Sequence, residues 1–79
     1  MKTIKTEWCE NWLRKTFEKL PSGITGIERG CLFSMAEKAG LYEHDTYGTP
    51  LSEALGNITK CKVVNDTNGN FAYHAFQIA

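Results

Sequence analysis

The sequence predicts a single α+β domain over residues 1–79, with three helices followed by a C-terminal β-hairpin. Three observations carry this reading. Apolar residues recur at the helical period in three separate segments. Two β-rich runs flank Asn68-Gly69, the strongest two-residue hairpin signal. The chain has 79 residues, 42% of them apolar, which suffices for one core and leaves no room for a second.

The first helix is the clearest element. Trp8, Cys9, Trp12, Leu13, Phe17 and Leu20 form one stripe, and Glu10, Arg14, Lys15, Glu18 and Lys19 take the other side. Thr6 is the expected N-cap, Glu7 suits the first turn, and Pro21-Ser22-Gly23 stops the helix. Thr25-Gly-Ile-Glu28 has the spacing of a capping box, so the second helix is expected to open there. Its stripe is Ile27, Cys31, Leu32, Met35, Ala36 and Ala39, and Gly40 is the expected C-terminal stop. Cys9 and Cys31 are expected where these two helices meet. Residues 41–48 show no period and read as a loop. Thr49-Pro50 then supplies an N-cap and a proline at the first helical position. Leu51, Ala54, Leu55 and Ile58 form the stripe of a short third helix, with Gly56-Asn57 expected to fray it.

Residues 60–66 and 71–78 are the expected strands. With Asn68-Gly69 as a two-residue turn, both at positive φ, Thr67 faces Asn70, Val63 faces His74 and Cys61 faces Phe76. Cys61, Val63, His74, Phe76 and Ile78 then share the better core face. Lys60, Lys62, Val64, Phe71, Tyr73 and Gln77 share the other.

This order of elements resembles the winged helix-turn-helix class. Thr49 to Ile58 stands where that class has its recognition helix, and Cys61-Lys-Val-Val, Asn68-Gly69 and Phe71-Ala-Tyr-His-Ala-Phe76 stand where it has its wing. The class usually adds an early strand that pairs with the wing, which residues 1–5 are too short and basic to settle. The resemblance implies DNA binding, with Thr49, Ser52, Asn57, Lys60 and Lys62 as contact residues. Separately, the compact length, Tyr47-Gly-Thr-Pro-Leu-Ser-Glu-Ala-Leu55 and Tyr73-His-Ala-Phe76 resemble small phage or prophage reading frames.

Charge weighs against DNA. Nine Lys+Arg balance nine Asp+Glu, and Arg14 and Arg29 are the two arginines. Non-specific DNA affinity comes mostly from cations on phosphates, and base reading leans on Arg, Asn and Gln. Helix-three positions away from the apolar stripe are Ser52, Glu53, Gly56 and Asn57, none of them basic. The outer ribbon face offers a different surface: Lys62, Val64, Phe71 and Tyr73, with the aromatics expected near the wing tip. Exposed aromatics mark protein interfaces.

No complete catalytic constellation is legible. Cys61 and His74 would be diagonal neighbours without a third orienting group, and Glu43-His44-Asp45 reads as solvated turn chemistry. The three cysteines lack metal-ligand spacing and are odd in number, so reduced thiols, no metal and no cofactor are expected. No apolar run approaches the ~18 residues of a membrane span, and the chain opens without a signal-peptide pattern. The expectation is a cytoplasmic, non-enzymatic interaction module, in the host cytoplasm if phage-encoded, that binds and inhibits a host protein or nucleoprotein complex. An anti-CRISPR-like or anti-restriction-like inhibitor is the sharper form. The alternative is a winged-helix DNA-binding regulator.

Overall fold

The computed structural model describes residues 4–43 and 49–79. The element order is α1 (Thr6–Glu18), β1 (Gly26–Glu28), α2 (Arg29–Lys38), α3 (Pro50–Ile58), β2 (Thr59–Asn65) and β3 (Phe71–Ile78). The strands make one antiparallel sheet in the order β1-β3-β2. The fold is thus α+β, with the expected C-terminal hairpin and a third strand that the sequence reading lacked. No helix among the described residues is long and apolar enough to cross a membrane.

The core forms where the three helices meet the proximal half of the sheet. Cys9 and Leu13 of α1, Leu32 and Ala36 of α2, and Leu51, Ala54 and Leu55 of α3 are buried together with Ile27. Truncating a buried leucine such as Leu13 to alanine typically costs ~2–5 kcal/mol. Helix α1 packs closely along α3 and meets α2 through the shared core. Two side-chain bonds tie α1 to α3: Thr6 Oγ1 donates to Glu53 Oε2 (3.1 Å), and Asn57 Nδ2 donates to Glu10 Oε2 (3.1 Å).

Several local expectations need correction. Thr6 is the first residue of α1, its hydroxyl donating to Glu53 of α3, and Lys5 holds the cap position without a side-chain bond, since an ammonium group has no acceptor to offer. Gly26–Glu28 is strand, not helix. Ile27 pairs with Phe76, and a Cβ on Gly26 would lie 3.2 Å from the Phe76 carbonyl oxygen, so glycine permits the close approach. Glu28 is itself the N-cap of α2, accepting from the Gly30 (3.0 Å) and Cys31 (2.9 Å) amides. The buried face of α2 is narrower than the expected stripe: Leu32 and Ala36 are buried, whereas Cys31, Met35 and Ala39 are exposed. Helix α3 runs unfrayed through Gly56-Asn57, held by the Asn57–Glu10 bond.

Two caps match the sequence. Thr49 Oγ1 accepts from the Ser52 amide with Pro50 next in line. Gly40 N–H bonds to the Glu37 carbonyl and Leu41 N–H to the Ala36 carbonyl, the paired bonds of a glycine-terminated helix.

The hairpin departs from the expected turn. Asp66, not Thr67, faces Asn70: Asp66 N–H donates to the Asn70 carbonyl (2.8 Å), and Gly69 N–H donates back to the Asp66 carbonyl (3.1 Å). Asp66 Oδ1 accepts from the Asn68 and Asn70 amides, both at 2.9 Å. Only Gly69 has positive φ (84°); Asn68 does not. The loop therefore holds three residues, a turn followed by a left-handed glycine. A bulge in the facing β3 segment, between the Val64–Tyr73 and Asn65–Phe71 pairs, restores the register, so Val63 still faces His74 and Cys61 still faces Phe76.

The expected core face of the hairpin is also only partly right. Phe76 packs on the core and His74 is half-buried, whereas Cys61, Val63 and Ile78 are exposed. The buried residue of β3 is Ala75, on the opposite face. The molecule is 46 Å along its longest axis. The distal hairpin outruns the helices, and alternation alone cannot tell which residues lie beyond them.

This turn geometry separates two substitutions. Gly69→Val forces a branched side chain into the left-handed region and should lower stability by ~1–2 kcal/mol. Asn68→Ala should cost under ~0.5 kcal/mol, because only its backbone is used. Denaturant unfolding of both variants checks this; equal losses would mean that both positions need positive φ.

Candidate functional site

The β2–β3 hairpin lies across the N-terminal ends of α2 and α3, and a cleft of about 540 Å³ opens between them. Its walls are the Glu28-Arg29-Gly30 corner, Thr49 and Ser52 of α3, and residues 71–74 of β3. Phe33 and Tyr42 also line it.

Each wall residue is placed by an element already described. Pairing of β1 with β3 fixes Glu28, whose carboxylate caps α2. Amide hydrogen bonds from Cys31 and Gly30 hold the Glu28 carboxyl below its ordinary value. Arg29 follows at once, with its guanidinium over the Phe33 ring (5.7 Å to the centroid) and no carboxylate partner among the described residues. Phe33 meets Tyr42 edge-on at 4.9 Å and Phe76 at 6.4 Å, so the aromatic floor is continuous with the core.

The bulge decides what the hairpin contributes. Phe71 pairs with Asn65 and so falls on the face of Val63 and His74, not on that of Tyr73. Its ring lies 5.0 Å from the His74 ring, and it is 59% exposed. His74 Nδ1 is shielded from solvent and has no hydrogen-bond partner among the described residues.

The predicted protein-contact set is therefore divided. Lys62, Val64 and Tyr73 share the outer face, where they join Gly26, Ala75 and Gln77 around a smaller groove of about 320 Å³. Phe71 belongs to the cleft face, as the physical consequence of one extra residue in β3. Tyr73, 43% exposed, borders both depressions.

The predicted nucleic-acid set is divided further. Thr49 is buried, accepting from the Ser52 amide and donating to Ser52 Oγ (2.9 Å). Asn57, the residue that could have read adenine, donates to Glu10 instead. Lys60 and Lys62 stand on the outer sheet face, and α3 carries no cation. Phosphate contact would fall beside Glu53 and Glu10 rather than beside Lys or Arg.

Sequence reasoning missed Glu28, Arg29, Phe33 and His74 as parts of one site. A signal for the bulge was present: Asp66-Thr-Asn-Gly69 also fits a turn with Asp first and Gly last. Residues 44–48 lie outside the described residues, and with them most of the Glu43-His44-Asp45 cluster. Among the described residues no group of three His, Cys, Asp or Glu is placed to hold a metal ion. Compared with family models, curated proteins and solved structures, the chain matches none.

The three cysteines differ in environment. Burial, and then the neighbouring Glu10 charge, push the Cys9 thiol up. The Glu28 hydrogen bond, and then its charge, raise exposed Cys31. Alkylation of the native protein near pH 8 should modify Cys61 first, Cys31 more slowly, and Cys9 only on unfolding. Glu28→Gln should speed Cys31 several-fold by removing the charge. It should also lower the melting temperature near neutral pH, and the gap from wild type should close in acid. The sign follows from the lowered folded value: the carboxylate's contribution is present above its unfolded value and lost as pH falls through the folded one. Fast native labelling of Cys9 would contradict this assignment.

Proposed function

We propose that the chain is a small, non-enzymatic interaction module on a winged-helix-like scaffold that binds and inhibits a host protein. The element order supports the scaffold: a short strand after the first helix pairs with the hairpin, as the early strand of that class does. The observation that carries the function is the cleft. An arginine with no carboxylate partner among the described residues stands over an aromatic floor, and an exposed phenylalanine stands at the wall opposite. Exposed aromatics and arginine are the residue types that dominate protein-interface energies. A partner segment offering a carboxylate to Arg29 and an apolar side chain to Phe71 and Tyr73 suits this chemistry.

The resemblance to small phage reading frames makes a host nucleic-acid-handling defence complex the partner class, met in the host cytoplasm. The element order is also the one observation in favour of a second reading, a DNA-binding regulator. The absence of cations on α3 and the engagement of Asn57 by Glu10 weigh against it.

Two measurements separate the readings. Binding to duplex DNA should be undetectable at about 0.15 M salt, where exposed charges are screened beyond ~8 Å. Affinity capture from the host followed by direct titration should give a protein partner. Phe71→Ala with Tyr73→Ala should weaken that titration more than about tenfold, ~1.4 kcal/mol, and cost under ~2 kcal/mol of stability. Phe76→Ala should cost ~3–5 kcal/mol of stability, as a core truncation. Tight, steeply salt-dependent DNA binding that survives the Phe71/Tyr73 changes would reverse the choice.

A further inference from the structure

The sheet has a free edge along the outer side of β2. Asp66 N–H bonds to the Asn70 carbonyl at one end of the strand, and Ala79 N–H bonds to the Ile58 carbonyl at the other. Even-numbered residues of β2 therefore turn their backbone groups toward β3, and odd-numbered residues turn theirs away. The outward groups belong to Cys61, Val63 and Asn65, all exposed, and no described residue bonds to them. Val63 is 51% exposed.

We infer that β2 pairs antiparallel with β2 of a second copy, about a twofold axis at Val63. Charge selects this register. An axis at Cys61 sets Lys60 opposite Lys62 twice, and an axis at Lys62 sets that lysine against itself. An axis at Val63 sets Lys60 opposite Asp66 twice, Lys62 opposite Val64, Cys61 opposite Asn65, and Val63 against Val63. An axis at Val64 also pairs Lys62 with Asp66 but leaves Lys60 without a strand opposite. Asp66 can serve, because the turn uses its Oδ1 and leaves Oδ2. The lysines, which commonly guard sheet edges, here exclude the wrong registers. The outcome is a continuous six-stranded sheet with the two clefts left open, since they lie against β3 rather than β2. The inference does not depend on the identity of any other partner.

Sedimentation velocity of the full chain, from micromolar to millimolar, should show mass rising from one chain toward two. Val63→Lys places like charges on the axis at an exposed position. It should keep the circular dichroism spectrum and reduce self-association more than about tenfold. Lys60→Glu should weaken it similarly at low salt. Carbodiimide coupling of mixed ¹⁵N-labelled and unlabelled protein should join Lys60 to Asp66 between copies. Within one strand these residues are about 20 Å apart, beyond a direct amide. A single chain at every concentration, self-association undiminished in both variants, or crosslinks that omit the Lys60–Asp66 pair would each overturn the inference.

Discussion

Phe76 stands where the fold is held together. Its backbone lies between Ile27 of β1 and Cys61 of β2, and its ring packs against the core beside Phe33. Pairing with Ile27 ends β1 at Glu28 and so sets the first turn of α2. Pairing with β2 begins at Thr59, directly after α3. A strand near the C-terminus thus fixes the starts and ends of helices earlier in the chain. This is also why the cleft is assembled from distant segments: Arg29, Ser52 and Phe71 are brought together by one central strand.

The distal hairpin obeys a second constraint. A three-residue loop displaces the register by one residue, and the bulge near Ala72 restores it. The core end of the hairpin does not change, but the side chain beyond the bulge changes face. Phe71 therefore meets His74 and leaves Tyr73 on the other side. The Asp66 carboxylate, bonded to two amides, holds the turn that makes this possible.

Much of the framework was legible in the residues. The α1 stripe apart from Trp8, which is exposed, the stripe of α3, the Thr49-Pro50 start, the Gly40 stop and the Val63–His74 register follow from period and turn chemistry acting locally. What was not legible depends on partners far away in sequence. Gly26-Ile-Glu28 is too short to show alternation, and Thr25 to Glu28 has a helix-start spacing, so its strand character comes only from Phe76. Cys31 fitted the apolar stripe, but the buried face of α2 is narrower than that stripe and leaves it exposed. For the site, Phe71 and Tyr73 were recognisable as exposed aromatics, while their separation onto two faces required the bulge. Arg29 was invisible as a site residue until β1 placed it over Phe33.

The account stands on β3 being central and bulged, which nuclear Overhauser contacts in the isolated protein test directly. Close contacts should join the Phe71 and His74 rings, and the Ile27 and Phe76 backbones should show the cross-strand contacts of an antiparallel pair. Contacts from the Phe71 ring to Val64 and Lys62 instead, with Gly26–Glu28 showing helical amide–amide contacts, would contradict both the hairpin geometry and the cleft built on it.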